Sequence, residues 1–127
     1  MRPDDAVSKE VIAACMEVHR ALGPGLLESV YEECLCYELR LRGLGFARQV
    51  SLPLIYKEVF LESVYRLDLI VEHALVVELK AVDCLSAVHV AQLRTYLKLI
   101  NCRAGLLVNF NVAILRHGLR RVEPTTI

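Results

Sequence analysis

The chain has 127 residues, 55% hydrophobic and 24% charged, with 15 basic side chains against 15 acidic ones. A domain of that length buries roughly two-thirds of its unfolded surface, so disulfide staples are not needed. Zero net charge does not advertise nucleic-acid binding, so any DNA or RNA is expected to be held by a local basic patch, and no run reaches the roughly 18 uncharged apolar residues of a transmembrane helix.

Ser8 reads as the N-cap of a first helix, in which Val11, Ile12, Cys15, Val18, His19 and Leu22 recur at helical spacing. Gly23-Pro24-Gly25 breaks it. A second helix is expected from Leu26 to Arg42, with Leu27, Val30, Tyr31, Cys34, Leu35, Glu38 and Leu39 along one stripe and Gly43 and Gly45 at its end. The period then changes to two. Phe46 to Tyr56 reads as a strand interrupted or bent at Pro53, Val59 to Val71 as a second strand and Leu75 to Val82 as a third. Ser86 opens another helix to Ile100, packing through Val90, Leu93, Tyr96, Leu97 and Ile100. Ala104 to Phe110 reads as a buried strand. Val112 to Leu115 and Leu119 to Val122 read as an edge hairpin, and Glu123 to Ile127 as a frayed end. The order α-α-β-β-β-α-β predicts one α/β layer structure over residues 1–127, a mixed β-sheet flanked by helices on at least one face.

A mean hydropathy of +0.42 is high for a soluble monomer and implies a homo-oligomer whose interface absorbs part of the apolar surface. The N-terminal segment carries Asp4 and Asp5 and no apolar signal core, so a cytoplasmic location without membrane attachment is expected. Five cysteines (Cys15, Cys34, Cys36, Cys84 and Cys102) form no CxxC and argue against a disulfide framework; all five read as small core residues. His19 reads as a packing residue of the first helix, and no two histidines are spaced as zinc ligands.

The informative segment runs from Arg66 to Lys80. Two apolar strands flank the polar link Glu72-His73-Ala74, which reads as a tight hairpin. Centred on His73, it sets Asp68 directly across from Glu78, with Cβ atoms about 5 Å apart. Glu78 and Lys80 project to one face, Val77, Leu79 and Ala81 to the other. Opposed, desolvated carboxylates repel unless a cation lies between them, and Mg²⁺ accepts one or two carboxylates with waters and phosphate oxygens completing its shell. Gln92 and Tyr96, four apart on the following helix, share a face. Glu28, early in the second helix, reads either as a favourable N-terminal acid or as a third carboxylate aimed at the metal. The bland alternative makes Asp68 and Glu78 a solvated sheet face, with Lys80 as their partner.

Gly25-Leu26-Leu27-Glu28-Ser29-Val30-Tyr31 resembles the motif of the GxxExxY protein family, and so, in order, do Glu17-Val18-His19, Arg66-Leu67-Asp68, Glu78-Leu79-Lys80-Ala81-Val82, Gln92 to Leu97 and Asn109-Phe110-Asn111. The resemblance covers about Ser8 to Val122 and implies a PD-(D/E)XK restriction-endonuclease-like core. It implies Asp68 and Glu78 as metal-binding carboxylates, Lys80 as catalytic lysine, Glu28 as a helix-borne acid, and Gln92 and Tyr96 as a Gln-x-x-x-Tyr element beside the site. The segment before Asp68, Val64-Tyr65-Arg66-Leu67, lacks the proline of the name motif.

The expected activity is phosphodiester hydrolysis of DNA or RNA with Mg²⁺, or Mn²⁺ as substitute, held by Asp68, Glu78 and the Leu79 carbonyl. Lys98, Arg94, Arg48, Arg103, Arg116, Arg120 and Arg121 are candidates for phosphate contacts. Two rivals stand beside it: a catalytically silent nuclease-fold module for self-association or partner binding, and a metal-dependent hydrolase of a small phosphodiester or nucleotide.

Overall fold

Apolar residues at three- and four-residue spacing wind the first forty residues into two helices, α1 (Pro3–Leu22) and α2 (Glu28–Leu41). The computed structural model describes residues 3–124, except the side chains of residues 3, 63 and 64. Helix α1 begins five residues before the expected cap at Ser8, which lies inside it. Proline suits a first helical turn, where its missing N–H has no intrahelical partner, and Asp4 and Asp5 complement the helix dipole there. Asp4 is also clamped by Arg121 Nη2 at 2.6 Å, near the other end of the chain.

Helix α2 starts after Leu27 and ends in a Schellman motif. Gly43 takes φ +72, its N–H donates to Arg40 O, and the Leu44 N–H donates to Leu39 O. The buried set is Tyr31, Glu32, Leu35, Cys36 and Leu39. The expected stripe is therefore rotated: Leu27 and Val30 are exposed and Glu38 is half-buried, because the sheet lies beneath Glu32 and Cys36 instead.

Five strands follow: β1 (Phe46–Tyr56), β2 (Val59–Val71), β3 (Leu75–Lys80), β4 (Gly105–Asn109) and β5 (Leu119–Val122), with α3 (Ala87–Leu99) between β3 and β4. They form one sheet in the order β1-β2-β3-β4-β5. The β3–β4 pair is parallel, as a helical crossover demands, and the other pairs are antiparallel. The β1–β2 register shifts between Leu52 and Leu54, where Pro53 cannot donate to the ladder. Strand β3 stops at Lys80, two residues short of the expected end. Helix α3 opens with a reciprocal cap: His89 N–H donates to Ser86 Oγ and Ser86 N–H to His89 Nδ1. The expected terminal hairpin is half correct. Only Leu119–Val122 is a strand, while a 3₁₀ turn, Leu115–Gly118, precedes it. The expected frayed end lies partly outside the described residues, which stop at 124.

Helices cover both faces. On one, Val11, Ala14, Cys15 and Val18 of α1 and Tyr31, Leu35 and Leu39 of α2 pack on Leu69, Val77, Leu79, Leu106 and Val108. On the other, Val90, Leu93 and Leu97 of α3 pack on Leu52, Leu67, Val76 and Leu107. Cys15 and Cys36 belong to the core, whereas Cys34 and Cys102 are half-buried and Cys84 is exposed. The expectation that all five are core residues fails for Cys84, which lies in the link before α3. Among the described residues no helix is long and apolar enough to cross a membrane.

Candidate metal centre

The β2–β3 hairpin has the expected register: Val71 pairs with Leu75, Ile70 with Val76 and Leu69 with Val77. Glu72 and His73 both take positive φ at its tip, the geometry of a type I′ turn. One step beyond Leu69 and Val77, side chains replace the backbone ladder. The Asp68 N–H donates to Glu78 Oε1 at 3.0 Å, and the Leu79 N–H donates to Asp68 Oδ2 at 2.8 Å. Each carboxylate is thus wedged between the strands and tied to the opposite backbone.

Their charges are poorly compensated. Glu78 is 6% exposed, and burial followed by the neighbouring Asp68 charge pushes its carboxyl up to about 8. Burial also raises Asp68, which Glu32 and Glu28 push further up while the Leu79 N–H and Lys80 oppose them. Lys80, half-buried at the end of β3, attracts both carboxylates.

Helix α2 brings two more acids. Glu28 and Glu32, four apart, line a cleft of about 240 Å³ with Ser29, Gln49, Asp68 and Leu79. The Tyr31 hydroxyl donates to Gly23 O at 2.6 Å and accepts from the Leu26 N–H, so the turn that leads into Glu28 is held by the tyrosine three residues beyond it. Glu32 is buried and accepts 2.8 Å bonds from Arg48 Nη2 and Gln49 Nε2; Gln49 Nε2 also reaches Asp68 Oδ1 at 3.4 Å. Sequence reasoning singled out Glu28 and overlooked Glu32 and Gln49. The four-residue spacing from Glu28 was the available signal for Glu32, and nothing in the pattern marked Gln49.

Gln92 and Tyr96 line a separate cleft with Tyr65, Val88, Ala91 and Thr95. The Tyr65 and Tyr96 ring centroids are 5.2 Å apart. Burial raises the Tyr96 hydroxyl, and Glu78, Tyr65 and Asp68 add to the shift, which sets Tyr96 within the field of both carboxylates. Gln92 is exposed one turn away.

Among the expected phosphate contacts, Arg48 is tied to Glu32 and Glu33, Arg121 to Asp4 and Asp5, and Arg94 Nε bonds Glu123 O. These three are engaged within the chain. His19 contacts Val112 O at 2.8 Å through Nε2, a packing role as expected.

Among the described residues no group of three or more His, Cys, Asp or Glu side chains is arranged to hold a metal. A pair suffices for Mg²⁺, which keeps several waters and takes one or two carboxylates plus substrate phosphate rather than a complete protein cage. Asp68, Glu78 and a backbone carbonyl are hard oxygen donors, the class of ligand that Mg²⁺ takes. The donor set fits such an ion.

Comparison with curated proteins and with solved structures finds no match. A family model described as the PD-(D/E)XK nuclease superfamily matches residues 5–122, a superfamily whose nucleases generally use divalent metals. The mixed sheet with helices on both faces agrees with that fold, and the match spans nearly the whole chain; the chain belongs to the PD-(D/E)XK nuclease superfamily.

Proposed function

We propose that the chain is a metal-dependent phosphodiester hydrolase of the GxxExxY type, using Mg²⁺, or Mn²⁺ in its place, to cut DNA or RNA. One observation carries the reading: Asp68 and Glu78 are wedged together at the end of the β2–β3 ladder, both held above their ordinary carboxyl values. A sheet keeps such a pair at a cost to its own stability unless a cation relieves it.

Asp68, Glu78 and the Leu79 carbonyl would hold the ion. When bound, it supplies Lewis-acid activation of water and neutralises charge on the phosphate. Lys80 Nζ orients the attacking water or stabilises the developing negative charge at the phosphate. Glu28 accepts hydrogen bonds from water on the α2 side. Gln92 and Tyr96 orient the phosphate or the lysine from the α3 side.

The test compares the wild type with Lys80→Ala in Mn²⁺ over labelled single- and double-stranded DNA and RNA. Loss of a residue in this role typically lowers turnover by roughly 10² to 10⁴-fold. Equal cleavage by both proteins would identify a contaminant and sink the proposal.

Exposed apolar side chains favour a second reading, a catalytically silent module that keeps the nuclease fold for self-association or partner binding: Leu27, Tyr37 and Leu41 near or on α2, and Ile55, Tyr56 and Phe60 at the β1–β2 tip. Association without cleavage of any substrate in the panel would select it. Homo-oligomer formation is proposed under either reading.

A further inference from the structure

Helix α2 carries a second apolar stripe that the fold leaves outside. Leu27, just before the helix, and Val30, Cys34, Tyr37 and Leu41 on it recur at alternating three- and four-residue intervals, the spacing of a coiled-coil seam. At about 100° per residue the four helical positions fall within an arc of about 60°, separate from the buried face of Tyr31, Leu35 and Leu39. Leu27 is 73% exposed, Val30 38%, Tyr37 59% and Leu41 64%, with Cys34 half-buried between them. The apolar surface continues over a groove of about 320 Å³ towards Val18, Ala21 and Leu22 of α1.

We propose that two copies of the chain pair through this stripe, α2 against α2, antiparallel about a two-fold axis. A seam with heptad spacing is complementary to a helix with the same spacing, and a second copy supplies one. The flanking charges choose the direction. Glu33 and Arg40 lie on one flank of the stripe and Glu38 on the other. In a parallel pair Glu33 meets Glu38 of the second copy, and like charges repel. In an antiparallel pair the Glu33 flanks face each other, so Glu33 meets Arg40 of the second copy on both sides of the axis. Glu33 also pairs with Arg48 of its own chain at 2.9 Å, but its side chain is 68% exposed and has an oxygen for each partner. The β1–β2 tip, with Ile55, Tyr56, Val59 and Phe60, is the competing surface; its charges, Lys57 and Glu58, lie together in the turn and do not flank a helical seam.

This assigns a surface to the self-association proposed above and does not depend on the nuclease reading. Sedimentation velocity over a range of concentrations tests it on the full chain, with cleavage assayed separately on the same samples. The wild type is expected to dimerise. Tyr37→Glu and Leu41→Glu should each raise the dimer dissociation constant roughly 30-fold or more while still unfolding cooperatively, because both sites are exposed. Glu33→Arg and Arg40→Glu should each weaken the dimer and together restore it. Phe60→Glu should leave it unchanged. A wild type that stays monomeric at roughly 100 µM overturns the pairing. So do unchanged dissociation constants in both seam variants, or a dimer that Phe60→Glu dissociates. A monomer that cuts nucleic acid overturns the pairing alone; a dimer that cuts nothing overturns the nuclease reading alone.

Discussion

Gln49 and Asp68 sit opposite each other where the β1–β2 ladder is interrupted, between the Arg48–Leu69 and Val50–Leu67 pairs. Both strands change faces there. Leu67 packs against α3, whereas Leu69, two residues along the same strand, packs against α1 and α2. On β1, Phe46 packs on the α1–α2 side and Val50 and Leu52 on the α3 side. Regular alternation forbids this, and the positive φ of Gln49, +50, makes the turn-over on β1. Asp68 therefore projects along the sheet towards β3, where it meets the Leu79 N–H.

Gln49 thus carries a backbone requirement and a side-chain role. Gln49→Val puts a β-branched residue in the left-handed region and removes the amide, which should lower stability by about 2 kcal/mol or more. Gln49→Gly relieves the backbone while losing the bonds to Glu32 and Asp68, so its stability should fall by no more than about 1 kcal/mol. Urea unfolding of both variants checks the order. A valine variant as stable as the glycine variant would refute the backbone account.

Metal binding should appear as stability before any substrate is found. An ion at a hundredfold its dissociation constant stabilises the folded state by about 2.7 kcal/mol. Mg²⁺ or Mn²⁺ should therefore raise the wild-type melting temperature by several degrees and leave Asp68→Asn unmoved. The asparagine can still accept the Leu79 N–H, so its own fold should survive. An equal rise in both proteins would place the ion elsewhere.

The raised carboxyl of Glu78 sets a pH dependence. Between its ordinary value of 4.5 and about 8, the folded chain holds a proton that the unfolded chain has released. Stability is full below that window and falls as pH rises through it. Without metal, the melting temperature should fall from pH 5 to pH 8. Glu78→Gln should flatten the decline and melt higher than wild type at pH 8. Saturating Mg²⁺ should flatten it in the wild type. A parallel decline in the glutamine variant would assign the effect to other groups.

Gly118 offers a control outside the site. A Cβ there would run into the carbonyl oxygen of Asn109, and backbone cannot swing aside as a side-chain end can. Gly118→Ala should lower stability by about 2–3 kcal/mol, measured by denaturant unfolding, without altering the metal-dependent shift. An unchanged stability would contradict the close packing of the 3₁₀ turn on β4.

Alternation and turn chemistry determined much of this protein in one dimension. The bounds of β1 and β2, an irregularity at Pro53, the cap at Ser86 and the hairpin register that opposes Asp68 and Glu78 are local consequences of residue type, and they were legible in the sequence. The face that α2 buries was not, because its two apolar stripes are equally helical and only the position of the sheet chooses between them. Nor was the acidic neighbourhood of Asp68. Glu32 reaches it through Gln49, 17 residues further along the chain, and that approach exists only after α2 has docked and both strands have changed faces. Spacing along the chain decides which residues share an element; which elements meet, and at what distance two charges come to rest, is decided by packing.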